Sequence, residues 1–106
     1  PVGFLNGVGF ESQLKKIVRG ETLTKKELTP EPLFSGLTLW ILRNGIFARH
    51  GMIFRHPDLK HFFYGSRSKL GLKESKNYSD SLLSKADNSN IRLIRDQEKK
   101  QFRQNN

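Results

Sequence analysis

Apolar residues recur at helical spacing in several places along this chain and alternate strand-fashion over no useful length, so the pattern predicts helices without a sheet. The strongest segment is residues 36–50, "GLTLWILRNGIFARH". At about 100° per residue, Leu39, Leu42, Ile46 and His50 fall on one stripe, with Trp40 and Phe47 beside it and Arg43 between the two rows. Gly51 stands where a left-handed C-terminal cap belongs. Arg43 and His50 are therefore expected inside the buried arc and Arg49 on its edge.

The flanking segments are shorter. Pro57 and Asp58 open a helix over residues 57–64, because proline is tolerated in the first turn and an acidic side chain there suits the helix dipole. Leu59, Phe62 and Phe63 form its apolar side, and Gly65 ends it. Residues 66–79, "SRSKLGLKESKNYS", are polar, basic and broken by Gly71, which reads as a long loop. Ser84 and Asp87 have capping-box spacing and start a last helix over residues 85–103, with Ile91, Ile94 and Glu98 on one face and Leu93 alongside. Near the start, Phe10, Leu14 and Ile17 suggest a weakly amphipathic helix over residues 11–19, followed by Gly20. Thr24 and Glu27 repeat the capping-box spacing, but Pro30 and Pro32 allow one turn at most. The expected organisation is a lead-in at 1–21 carrying that short helix, a domain at 22–103, and a frayed tail at 104–106. The fold class is all-α: a small single-domain array of three to five helices with a long basic loop, packed around Trp40, Phe47, Phe54, Phe62, Ile91 and Ile94.

Composition limits the size of the core. With 106 residues the chain holds one domain, and with 35% hydrophobic residues its core must be small. Cysteine is absent, which excludes a disulfide framework and a thiolate zinc site. No apolar run approaches the roughly 20 residues of a membrane-spanning helix. The opening "PVGF" has no initiator Met, so a processed or shortened chain is expected.

Charge changes the picture more. Lys and Arg number 19 against 10 Asp and Glu, a net charge of +9. Residues 43–76 hold eight of the bases (Arg43, Arg49, Arg55, Lys60, Arg67, Lys69, Lys73, Lys76), only two acids (Asp58, Glu74) and all three histidines. An anionic partner follows from that bias, whether nucleic acid, membrane surface or wall polymer. The bases that lie too far from any apolar stripe to be core, Arg55, Lys60, Arg67, Lys69, Lys73 and Lys76, form the expected anion-binding surface.

The polar groups inside the apolar segment have two readings. As scaffold, Arg43 and His50 are a buried polar pair satisfied by a carboxylate of the last helix, Glu98 in preference to Asp87 for Arg43, because an unpaired buried charge is costly. As a site, the same arginines would meet a ligand; the scaffold reading is preferred. A metal site from His50, His56 and His61 is not expected, since spacings of six and five put no two of them one helical turn apart. Catalysis is not expected either. The chain has no nucleophile elbow, no phosphate-binding glycine loop and no carboxylate pair in an apolar setting, and no cofactor is implied.

Three separated blocks, "LWILRNGIFARHGMIF", "PDLKHFF" and "LLSKADNSNIRLIRDQE", resemble in order the bacterial YARHG domain. Its motif here reads Phe47-Ala48-Arg49-His50-Gly51, preceded by Arg43 and Asn44 and answered in the last block by Asn90, Ile91, Leu93, Ile94 and Glu98. The resemblance spans about residues 22–103. Three features depart from the family pattern: Phe47 replaces the motif tyrosine, Gly45 stands where an acidic residue is usual, and the Trp-Tyr pair common in the spacer is missing. The resemblance implies an extracytoplasmic module (periplasmic, secreted or cell-surface) whose molecular function is unassigned. The function expected is a non-catalytic accessory module that associates with an anionic cell-envelope polymer or an acidic protein surface. The alternative is a basic nucleic-acid-binding domain.

Overall fold

Helix α2, Gly36–Ala48, is the axis of the fold. It starts at Ser35, whose hydroxyl accepts the Thr38 N–H at 3.0 Å. Leu39, Leu42 and Ile46 are fully sealed, and Thr38, Ile41, Gly45 and Ala48 are buried as well, so most of the helix surface is covered. Helices α1 (Glu11–Val18), α3 (Pro57–Tyr64) and α4 (Lys85–Gln104) all pack against it. The computed structural model describes residues 9–104. Among them there is no strand, and the chain is all-α.

Gly45 explains how closely α1 and α3 approach. A Cβ built there would lie 3.0 Å from Leu14 Cδ1 and 3.5 Å from both Ile17 Cγ2 and Phe63 Cε1. The glycine's cost in helix propensity, roughly 1 kcal/mol against alanine, is thus set against tight packing of three helices. Helix α1 supplies Leu14 and Ile17, and its N-cap Phe10, to the core shared by α2, α3 and α4. Residues 1–8 of the expected lead-in and 105–106 of the expected tail lie outside the described residues. Gly20, at φ 76°, closes α1: Gly20 N–H donates to Ile17 O and Glu21 N–H to Lys16 O, the paired bonds of a Schellman turn. Thr24 and Glu27 exchange capping bonds around the 3-10 turn Lys26–Leu28, and Lys16 Nζ reaches Glu27 Oε2 at 2.6 Å.

The expected core is corrected in part. Phe54 and Ile94 are buried, but Trp40, Phe47, Phe62 and Ile91 are only half-buried around it. The sealed centre is mostly aliphatic: Leu39, Leu42 and Ile46 with Ile17, Leu28, Ile94 and the ring of Phe63. The reason is α1 and the segment after it, which cover the aliphatic side of α2 and leave the large rings at the seams.

Helix α2 is two residues shorter than expected. Gly51 N–H donates to Ala48 O and Met52 N–H to Phe47 O, so Arg49 and His50 belong to a Schellman turn. Gly51 takes φ 89° in that turn. The basic loop docks there: Ser75 N–H donates to Gly51 O at 2.8 Å, and a Cβ on Gly51 would fall 2.7 Å from Ser75 Cβ. Tyr64 ties α3 to the same turn through its hydroxyl, which donates to Met52 O at 2.7 Å. Burial, with Glu74 adding to it, pushes that phenol up to about 12, so it remains a donor. Gly51→Ala therefore combines left-handed strain with a collision against the loop and should cost at least about 2 kcal/mol. Urea unfolding should show this as a lower midpoint at unchanged slope.

Candidate functional site

Two ion pairs join α2 to α4. Arg43 Nε and Nη2 meet Glu98 Oε1 and Oε2 at 2.8 and 3.3 Å. Two turns on, Arg49 Nε and Nη2 meet Asp87 Oδ1 and Oδ2 at 2.9 and 3.1 Å. The pairing runs in opposite directions along the two helices, so they are antiparallel. Gln101 Nε2 extends the series by donating to Phe34 O at 2.7 Å. Arg43 meets Glu98, the partner expected for it. Arg49 keeps the edge position expected of it, with 20% of its side chain exposed, and from there neutralises a carboxylate that is only 1% exposed.

Among the described residues Asp87 is the most heavily bonded side chain. Its Oδ2 also accepts from His50 Nε2 at 2.7 Å and from Ser84 N–H at 2.8 Å, while Asp87 N–H returns a bond to Ser84 Oγ at 3.0 Å. The capping box at the start of α4 and the clamp on the end of α2 thus share one carboxylate. Burial opposes its ionisation, but the Arg49 guanidinium, the Ser84 amide and His50 outweigh burial and hold the group down at about 2. An ionised carboxylate only accepts, so His50 Nε2 carries the hydrogen of that bond.

The remaining motif residues serve the same junction. Asn44 Nδ2 donates back to Trp40 O at 2.9 Å. Ala48 is 1% exposed, Phe47 is half-buried against the core, and the Gly51 conformation turns the chain toward the loop. The guanidinium of Arg49 also lies across Gly20, where a Cβ would come 2.9 Å from its Nη2. Asn90, named in the sequence only as part of a pattern, is 1% exposed. It accepts from Leu23 N–H at 2.8 Å and donates to Glu21 O at 2.9 Å, tying the turn after α1 to α4. Its spacing of three from Asp87 and four from Ile94 is the signal that could have placed it on the buried face.

The three histidines do not converge. His50 is on Asp87, whereas His56 caps α3 through Asp58 N–H at 3.2 Å and sets its ring edge-on to Trp40 at 5.0 Å. His61 is exposed. Among the described residues no group of His, Asp and Glu could hold a metal ion. Arg55, Lys60, Arg67, Lys69, Lys73 and Lys76 are all exposed on α3 and the chain around it. Lys60 pairs with Glu74 at 3.5 Å. Motif cations and loop cations thus divide: the first are held in part-buried ion pairs with α4 and the second face solvent.

A small helical domain with a polar clamp between two antiparallel helices is the class defined by this geometry. The chain belongs to the YARHG domain family, whose model matches residues 18–99. The family is extracytoplasmic, of unknown function, and not a known enzymatic one. No curated protein and no solved structure matches the chain. No helix among the described residues is long and apolar enough to cross a membrane.

Asp87 has a consequence for acid stability. Its carboxyl takes up a proton near 3.8 when unfolded and near 2 when folded, so between those values the unfolded chain holds more protons and acid favours unfolding. The stabilisation is complete above 3.8 and is lost as pH falls through about 2, for a total of about 2 kcal/mol. Asp87→Asn should flatten that limb of the stability profile and, by stranding Arg49, cost roughly 3–5 kcal/mol at neutral pH. Urea midpoints measured across the acid range on both proteins check this.

Proposed function

We propose that the domain is a non-catalytic binding module that associates with an anionic polymer of the cell envelope through the basic face of α3 and its loop. Its setting is extracytoplasmic, whether periplasmic, secreted or at the cell surface. The observation that carries the reading is the division of the cations. Arg43 and Arg49 are bound to Glu98 and Asp87, while Arg55, Arg67, Lys69, Lys73 and Lys76 stand exposed with Lys60.

The motif supports this role indirectly. Gly51 and Tyr64 anchor the loop and the end of α3 to the α2–α4 junction. Clustered exposed cations on an anchored segment concentrate polyanions nearby and bind them through charge. Such binding weakens as salt screens the charges, within a Debye length of about 8 Å at physiological ionic strength.

Retention on cell-wall material, compared with duplex and single-stranded DNA, tests the proposal. The domain should be held by wall polymer at low salt and released as salt rises. A variant with Lys69, Lys73 and Lys76 changed to Ala should bind roughly tenfold more weakly with unchanged helicity. Retention by DNA with a steep salt dependence, and none by wall polymer, would replace this reading with the nucleic-acid one.

A further inference from the structure

A second basic surface lies at the opposite end of α2 from the loop. A cleft of about 490 Å³ opens between α2 and the last turns of α4, lined by Arg43, Arg95, Glu98, Lys99, Phe102 and Arg103. Four cations face one carboxylate there, and both oxygens of that carboxylate are already taken by Arg43. From this cleft we infer a docking site for an acidic polypeptide segment that also carries a large apolar side chain.

The charge row is not explained by helix stability. Arg95, Lys99 and Arg103 repeat every four residues, the spacing at which like charges destabilise a helix. The dipole favours cations only within the last turn, which accounts for Arg103 alone. Glu98 and Asp96, three residues from Arg95 and Lys99, offset part of that repulsion, and an anionic partner would relieve the rest. Its repeat is about 6 Å along the helix axis, close to the roughly 6.6 Å between alternate side chains of an extended peptide.

Apolar exposure at the same end distinguishes a polypeptide from a bare polyanion. Phe102 is 70% exposed, and Leu33 and Leu37 are each 44% exposed. Phe102 lines the cleft itself, and the Gln101 bond to Phe34 O holds the segment before α2, which carries Leu33, beside the end of α4. Exposed aromatics flanked by arginine are characteristic of the anchoring positions of protein interfaces. A phosphate or sugar polymer would use the cations and gain little from the ring.

Fluorescence anisotropy on the full chain provides the test. The probe is a labelled peptide with glutamates at alternate positions and a phenylalanine near one end; its controls are the same peptide with serine at that position and a single-stranded oligonucleotide. The phenylalanine peptide should bind, and Phe102→Ala should weaken it about tenfold while leaving the serine peptide unchanged. Arg95→Gln with Lys99→Gln should weaken both peptides, and Lys69→Gln with Lys73→Gln neither. Each of these positions is exposed, so helicity should be unchanged throughout. Several results would overturn the inference: equal binding of both peptides, indifference to Phe102→Ala, or equal losses from the α4 and loop variants. Displacement of the peptide by the oligonucleotide, itself unaffected by Phe102→Ala, would assign the cleft to phosphate polymers instead.

Discussion

The Asp87 carboxylate, sealed from solvent and holding Arg49, His50 and the Ser84 amide together, is the constraint on which the α2–α4 pair depends. A buried charge is tolerated only where its partners are in place, so the end of α2 and the start of α4 must meet in one geometry. The inward face of α4 continues in that manner. Asp87, Asn90 and Gln97 are buried beside Ile94, and Asn90 and Gln101 bond to backbone of the segments that flank α1 and α2. Sliding α4 by one turn, about 5.4 Å, would break both ion pairs and leave Asp87 uncompensated. An apolar face would resist that shift far less. The polar stripe specifies register, while the aliphatic side chains of α1 and α2 supply the bulk of the burial.

That division also governs how much was legible in advance. Helix starts with local chemistry were readable, since Ser84–Asp87 and Thr24–Glu27 form capping bonds at the spacing that announces them. Arg43 and Glu98 were each readable from helical periodicity as charged positions on the apolar faces of their helices. Arg49 on Asp87 was not, because periodicity puts Arg49 at the rim of α2 and cannot know that α4 begins beside it. Asn90 and Gln97 were missed for a related reason: a buried stripe that is polar carries no hydrophobic signal. The large rings were over-weighted as core, since nothing local in "LWILRNGIF" reveals that α1 crosses at Gly45 and favours the aliphatic side.

The same accounting organises the charge. The motif cations are neutralised within the scaffold, and the positive surface is left to residues outside it, on α3 and its loop at one end of α2 and on the last turns of α4 at the other. Gly51 links the two roles, because its left-handed turn both ends the motif and receives the loop at Ser75. On this account the motif shapes the scaffold from which the two exposed basic surfaces project.

The central claim is that Arg49 and Asp87 act as one structural unit. A double-mutant cycle by urea unfolding tests it most directly, with Arg49→Ala, Asp87→Ala and the two combined. The account predicts that the double variant costs little more than the worse single one, a coupling energy of at least about 2 kcal/mol. Additive losses would contradict it, because they would mean that each side chain stabilises the fold independently of the other.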